Sequence, residues 1–218
     1  MELYKEIVLS LRGILVIFGL GSWRGRRRRP ALAENEGEGA VWRWLTKGLA
    51  PTQFYLMNNV TLPFEGITAH IDHILLGPTG IFVIETKHYT GGPLFVPPDP
   101  HAEWRQQWGR SSYHRDNALS QNARHVRAVR TLLDFVPPQH MHSLVVFTGT
   151  AQLPPGHPAN VLHLPALIGH IRSYTHTVLT TQDLHLCVGR LEWTRRRISR
   201  QTDVEHVQNL NRRFGTID

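Results

Sequence analysis

Two carboxylates and a lysine stand in a stretch that otherwise has the composition of two buried strands. Residues 70–87 read HIDHILLGPTGIFVIETK, and the Gly-Pro-Thr-Gly at 77–80 separates two apolar runs. A tight turn there predicts a hairpin in which Asp72 lies opposite Glu85. Opposed strand residues have Cβ atoms roughly 4.5–5.5 Å apart, so the two negative charges repel each other. Lys87 projects from the same face because it lies two residues after Glu85.

This cluster has the composition of a metal-dependent phosphodiesterase site. A divalent cation relieves repulsion between carboxylates, and Mg²⁺ usually takes one or two carboxylates together with waters and phosphate oxygens. We therefore expect Asp72 and Glu85 to bind Mg²⁺ or Mn²⁺, with the backbone carbonyl of Thr86 as a third ligand. Lys87 would polarise the attacking water or stabilise charge on the phosphate, and Glu38, near the start of a predicted helix, would bind the metal through water. The alternative is an ordinary ion pair of Lys87 with either carboxylate at a strand end.

Apolar periodicity predicts the elements that hold these residues in place. Short apolar runs indicate strands, and apolar residues three or four apart indicate helices. The hairpin predicts Leu76 opposite Ile81, with a preceding strand over 54–62. Because the central strands are apolar on both faces, we expect helices to cover the sheet on both sides. The other predicted elements are helices at 37–49, 117–135, 165–174 and 182–195, strands at 144–148 and 160–164, a long loop at 91–116 and a last helix from Thr202.

Four polar residues near this cluster are candidates for binding substrate. Asn117 begins the long predicted helix, where it either caps the helix or contacts a phosphate. Gln121 follows one helical turn later and is a stronger candidate for the site than its neighbour Asn122. Arg124 either tracks a phosphate backbone or belongs to an ordinary solvated face. His88 leaves the strand next to Lys87, where it contacts substrate or has a packing role.

The formal charge of +7 is concentrated at one end of the chain. Residues 1–29 carry seven Lys or Arg and two Asp or Glu, a charge of +5, whereas residues 30–218 carry seventeen and fifteen, a charge of +2. A nearly neutral body excludes a histone-like polycation, so the body needs a local patch to contact DNA. The arginine run at 24–29 suits either DNA phosphate or anionic lipid. The single cysteine, Cys187, excludes an internal disulfide and fits a reducing compartment.

Residues 7–23 form a mostly apolar segment that ends next to the arginine run. A spanning helix needs about 20 apolar residues, so this segment is short, and Arg12 would have to reach the headgroups. As a single N-terminal anchor, it would leave the body at the cytoplasmic face of a membrane by the positive-inside rule. A cleaved signal peptide fits poorly, because its positive charge precedes the apolar run. The other interpretation is an amphipathic or core-packing N-terminal helix.

Several motifs of this chain belong together: EGEG at 36–39, IDHI at 71–74, GIFVIETK at 80–87, and Asn117, Gln121 and Asn122. Through these motifs the chain resembles the NERD (nuclease-related) domain family over roughly residues 35–150. The resemblance implies an α/β, restriction-endonuclease-like fold of the PD-(D/E)XK class, with a central mixed sheet of about four strands flanked by helices. It implies Asp72, Glu85 and Lys87 as the catalytic core, with Glu38 and Gln121 nearby. This chain has Asn117-Ala118 where such domains often have Asn-Pro, and its segment 91–104 is longer.

Residues and resemblance together predict three parts and one leading function. The parts are an N-terminal segment at 1–29, a nuclease-like domain at 30–175 and a C-terminal helical extension at 176–218. The leading function is Mg²⁺- or Mn²⁺-dependent hydrolysis of DNA at a membrane. The alternatives are a non-catalytic nucleic-acid-binding or regulatory module on a nuclease fold, and a membrane-associated scaffold without a nucleic-acid role. The oligomeric state stays open, although enzymes that cut both strands often act as dimers.

Overall fold

The computed structural model describes residues 36–99 and 102–196, which contain eight strands and four α-helices. Two short 3₁₀ turns, Pro138–His140 and Leu164–Ala166, precede β7 and α3 below. The helices are α1 (Glu36–Gly48), α2 (Ala118–Leu132), α3 (Leu167–Arg172) and α4 (Thr181–Thr194). The strands are β1 (Tyr55–Phe64), β2 (Ile67–Gly77), β3 (Gly80–Lys87), β4 (Leu94–Phe95), β5 (Trp104–Trp108), β6 (Ser111–Arg115), β7 (Met141–Phe147) and β8 (Val161–His163).

A mixed five-stranded sheet lies at the centre, in the order β1-β2-β3-β7-β8. Strand β2 is antiparallel to both of its neighbours, β1 and β3, and β7 and β8 run parallel to β3. Helices pack on both faces, so the predicted restriction-endonuclease-like α/β architecture is confirmed, with five strands in place of about four. The fifth is β8, a strand of three residues at the sheet edge.

The β2–β3 hairpin has the register that the turn predicts. Leu76 lies opposite Ile81, and Gly77 opposite Gly80. Gly80 has φ +137° and packs closely on the carbonyl of His140, so a side chain there would be both strained and crowded. The ladder between the two strands ends at the pair His73 and Ile84.

The two faces of the sheet are covered by different helices. The α1 face carries the main apolar cluster, in which Leu75, Phe82 and Ile84 of the hairpin are buried. The opposite face is covered by α2, which contacts β3 and β7. Asn122 of α2 is fully buried, and its amide nitrogen lies 2.9 Å from the Val83 carbonyl and 3.0 Å from the Leu144 carbonyl. This buried amide fixes α2 on the sheet.

The segment 91–116 is not the long loop that its Gly, Pro and polar residues predict. It contains the antiparallel three-stranded sheet β4-β5-β6. Trp104 is fully buried and anchors this sheet, whereas Trp108 is 53% exposed. The alternation of Trp104, Gln106 and Trp108 along β5 is the period-two signal that marks a strand, and the composition obscured it.

The remaining predicted elements agree with the structure where it describes them. The long helix ends at Leu132, before its predicted end at 135. Helix α4 begins with a capping box between Thr180 and Asp183. The apolar segment 7–23, the arginine run 24–29 and the helix from Thr202 lie outside the described residues. Among residues 36–99 and 102–196, no helix has the length and apolarity needed to cross a membrane.

Candidate active site

Asp72 lies where the hairpin ladder stops. The backbone N–H of Thr86 donates to Asp72 Oδ2 at 2.7 Å, and Asp72 is 8% exposed. In a continued antiparallel ladder that N–H would bond to a carbonyl of β2. The carboxylate takes the place of the ladder partner, so β2 and β3 separate beyond this point. On the other side of Asp72, Asn59 of β1 has φ +50° and is left out of the pairing between β1 and β2. Asp72 is thus flanked by irregular backbone on both sides.

The carbonyl of Thr86 faces the same opening. The N–H and C=O of a strand residue project to the same side of the strand. The Thr86 N–H points to Asp72, whereas the Lys87 carbonyl accepts the N–H of Thr148 on the opposite side of β3. The Thr86 carbonyl is therefore directed toward Asp72, as expected for a ligand of the same cation.

Glu85 and Lys87 lie on the α2 face of β3, two residues apart. Lys87 Nζ lies 2.8 Å from Glu85 Oε1 and donates to Gln121 Oε1 at 2.9 Å. The side chain of Glu85 is 3% exposed and that of Lys87 is 18% exposed. Gln121 stands on the first turn of α2, so the helix positions the ammonium over the carboxylate. The predicted association of Glu85, Lys87 and Gln121 is present in the structure.

His125 is a site residue that the sequence reasoning missed. Its Nδ1 lies 3.3 Å from Glu85 Oε2, and the residue is 5% exposed. A signal existed, because His125 follows Gln121 by four residues and the two share one face of α2. Fourteen histidines scattered through the chain hid that spacing. The two oxygens of Glu85 thus face two different nitrogen groups, from Lys87 and His125.

The buried charges act strongly on one another. Burial raises the pKa of Asp72 well above its usual range, and the charges of Glu85 and Glu38 raise it further. Burial would also raise the pKa of Glu85, but the neighbouring His125 and the charge of Lys87 lower it. Burial alone would lower the pKa of Lys87, whereas the carboxylate of Glu85 raises it. The repulsion between the carboxylates therefore shows in the raised pKa of Asp72, whereas Lys87 and His125 offset it at Glu85.

Glu38 reaches the site because α1 begins directly against β3. A Cβ at Gly37 would lie 2.7 Å from Thr148 Oγ1 and 3.3 Å from Thr86 Cγ2, so only glycine allows this approach. Glu38 is partly buried in the first turn of α1, and its charge acts on Asp72. The charge of the helix acid thus acts on a hairpin acid that belongs to a separate element.

Three other predicted substrate residues lie around the site rather than in it. The side chain of Asn117 caps α2 by accepting from the backbone N–H groups of Leu119 and Ser120, which is the capping role that the sequence allowed. Its amide also donates to the Ala102 carbonyl at 2.8 Å. The guanidinium of Arg124 lies 5.9 Å from the ring centre of Phe64, a residue of β1. His88 Nδ1 pairs with Thr148 Oγ1 at 3.0 Å, on the α1 side of β3.

The donor set suits a hard divalent cation. The carboxylates of Asp72 and Glu85, the Thr86 carbonyl and the nearby Glu38 offer oxygen ligands, which Mg²⁺ prefers with waters completing its shell. The raised pKa of Asp72 reflects a negative charge that a cation would relieve. Within residues 36–99 and 102–196, no three His, Cys, Asp or Glu side chains are gathered closely enough to form a metal site by themselves. Such a cation would therefore need backbone oxygen or water among its ligands.

Comparison with known proteins supports one family. The model of the nuclease-related domain matches residues 33–148, which include every residue of the site. An uncharacterized protein of Bacillus anthracis is 34% identical over 131 residues, a segment that covers 60% of this chain and 60% of that protein. The chain thus spans less than two thirds of that relative. No solved structure matches the chain significantly.

Proposed function

The chain belongs to the nuclease-related domain family, and from this premise we propose that it is a metal-dependent nuclease that hydrolyses phosphodiester bonds in DNA. The observation that carries the proposal is the meeting of Asp72, Glu85 and Lys87 at the open end of one hairpin. A purely structural hairpin has no need to bury two carboxylates there, because burying charge costs free energy unless the charge is used or paired.

In this proposal Asp72, Glu85 and the Thr86 carbonyl hold Mg²⁺ or Mn²⁺, and Glu38 binds it through water. The bound cation would neutralise phosphate charge and lower the pKa of a water ligand. His125 keeps Glu85 ionised and oriented, because its ring nitrogen faces the oxygen that Lys87 does not contact. In this proposal the charged groups of the site are thus already oriented before substrate binds.

The proposed role of Lys87 is to stabilise charge on the phosphate. Its pKa is raised, so the ammonium stays protonated at neutral pH and is a poor general base. Gln121 accepts one of its hydrogens and holds it near the site entrance. A fixed positive charge in a partly buried position is effective where negative charge develops in the transition state.

The test is cleavage of a DNA substrate by the purified full chain with Mg²⁺ or Mn²⁺. We expect Asp72→Ala and Lys87→Ala to lose activity, while the matched variant Lys47→Ala, which changes an exposed lysine of α1, keeps it. Equal cleavage by the wild type and both site variants would assign the activity to another site or to a contaminant.

A non-catalytic nucleic-acid-binding module is the second candidate. The observation that favours it is that each Glu85 oxygen already has a nitrogen neighbour, Lys87 Nζ at 2.8 Å and His125 Nδ1 at 3.3 Å. A cation would have to compete with these two groups for the carboxylate. This candidate predicts salt-sensitive DNA binding that survives Asp72→Ala, with no cleavage in either metal. The same purified proteins decide between the two candidates.

Attachment to a membrane is a separate part of the proposal. It rests on the apolar run at 7–23 and the arginine run at 24–29, which would anchor the body at the cytoplasmic face. The test is fractionation of the full chain and of a variant without residues 1–29. Equal distribution of both between membrane and soluble fractions would remove this part and leave the nuclease proposal intact.

A further inference from the structure

The β5–β6 hairpin stands directly beside the candidate site. Gln106 of β5 donates to the carbonyl of Thr90 at 2.7 Å, and the Arg115 guanidinium lies 4.8 Å from the ring centre of Tyr89. Tyr89 follows Lys87 by two residues; burial raises its pKa, and the charges of Lys87 and Arg115 oppose part of that rise. The hairpin therefore packs on the segment that directly follows Lys87, whose side chain is 18% exposed.

Two aromatic side chains are exposed on one face of this hairpin. Trp108 is 53% exposed and Tyr113 is 49% exposed. Tyr113 lies opposite Gln106, and Trp108 opposite Ser111, so both project from the face that contacts Thr90. A Cβ at Gly91 would overlap the Trp108 ring, so the ring rests on the backbone that follows β3. Trp108 is held in place while half of its surface stays open.

The same hairpin has a net positive charge, although Glu103, directly before it, pairs with His114 of β6 at 2.6 Å. Residues 104–115 read WRQQWGRSSYHR, with three arginines and no Asp or Glu. Arg110 is exposed at the hairpin tip, next to Trp108. The described body has little net charge to attract DNA, so this hairpin is a local patch of the kind that contact with DNA requires. Open aromatic faces with interspersed arginines are the composition that binds single-stranded nucleic acid.

We propose that the β5–β6 hairpin binds unpaired nucleotides of DNA next to the candidate site. Bases stack on Trp108 and Tyr113, and Arg110 contacts the phosphates. The unpaired form is specified because a ring can stack only on a base face that is exposed, and duplex bases are already stacked on each other. This inference rests on the proposed function, because it takes DNA as the substrate.

The test is binding of a fluorescein-labelled oligo-dT by the full chain, measured by anisotropy in EDTA so that no cleavage occurs. About 0.2 M salt weakens contacts made only by charge, including those of the arginine run. We expect Trp108→Ala and Tyr113→Ala each to weaken binding about tenfold. Trp108→Phe keeps an aromatic face and retains most of the affinity. The control Trp193→Ala, at a tryptophan of α4 that is 92% exposed, binds like the wild type.

Circular dichroism and thermal melting establish that each variant is folded. Loss of binding in folded Trp108→Ala with recovery in Trp108→Phe supports the inference even if the wild type cleaves nothing, and then only the nuclease proposal fails. Wild-type binding by folded Trp108→Ala and Tyr113→Ala overturns the inference, whether or not the wild type cleaves. The inference is also overturned if these variants lose as much affinity for a matched duplex as for oligo-dT. It is likewise overturned if they lose affinity for oligo-U but not for oligo-dT.

Discussion

The two ends of the β2–β3 hairpin are built for different purposes. At the turn end, Leu76 and Ile81 are fully buried opposite each other, and the Phe82 ring packs on Tyr174 at 5.3 Å between centres. At the open end, Asp72 and Glu85 are buried although both are carboxylates, and the ladder stops between them and the apolar pairs. Apolar burial at the turn end stabilises the fold, whereas burial of charge at the open end destabilises it.

This difference shows how a short hairpin can both hold a fold and carry a site. Three strand residues, roughly 10 Å, separate Phe82 from Glu85. Changes at such separated positions usually have independent effects. Changes at the turn end should therefore alter stability and spare chemistry, and changes at the open end should do the reverse.

The largest expected effect is at the turn end. Phe82→Ala removes a fully buried ring from the main apolar cluster, and we expect it to lower the free energy of unfolding by about 3–5 kcal/mol. Urea unfolding measures the change, with Phe95→Ala, at a 53% exposed ring, as the control. Cleavage per folded molecule should be unchanged. A parallel fall in cleavage per folded molecule would show that the two ends are coupled.

The next effect is on chemistry at the open end. Lys87→Met keeps the length of the side chain and removes the ammonium that contacts Glu85 and Gln121. Removing one such charge should lower the cleavage rate about 10²–10³-fold. Single-turnover kinetics measure this, beside Lys47→Met as the matched control. Retention of the wild-type rate by Lys87→Met would remove Lys87 from the proposed mechanism.

A substitution at Asp72 is expected to have a smaller effect, and to raise the free energy of unfolding where Phe82→Ala lowers it. The folded pKa of Asp72 is raised, so the stability it provides is complete below its unfolded pKa and is lost as the pH rises through the folded pKa. Asp72→Asn can still accept the Thr86 N–H, and we expect it to raise stability at neutral pH by roughly 0.5–2 kcal/mol while abolishing cleavage. Adding Mg²⁺ should raise the melting temperature of the wild type but not of Asp72→Asn. An equal response of the two proteins to Mg²⁺ would count against Asp72 as a ligand.

The smallest effect concerns pH at the turn end. His142 packs on Tyr174 and Phe82, with ring centres 4.2 and 4.9 Å apart, and burial lowers its pKa. The unfolded chain binds a proton first as the pH falls below about 6.5. Stability linked to His142 is therefore present above that pH and is lost toward the lower folded pKa. His142→Gln should melt with a weaker dependence on pH than the wild type, and an identical dependence would contradict this.

Parts of the fold could be predicted because their signals are local. The Gly-Pro-Thr-Gly turn defines the hairpin register, and the period-two pattern then places Asp72 near Glu85. The Asn117 cap of α2 and the apolar spacing of α1 and α2 are equally local. The β4-β5-β6 sheet was missed because its strands are two to five residues long and lie among Gly and Pro residues.

By itself, the sequence determined which acids and which lysine share the hairpin, since a turn and an alternating pattern act over only a few residues. Only the tertiary structure decided that His125 faces Glu85, that the Asn117 amide donates to the Ala102 carbonyl, and that the Trp108 ring packs on Gly91. Those contacts join residues 15 to 40 positions apart. The packing of α2 and of the small sheet against β3 creates them, and no local periodicity encodes that packing.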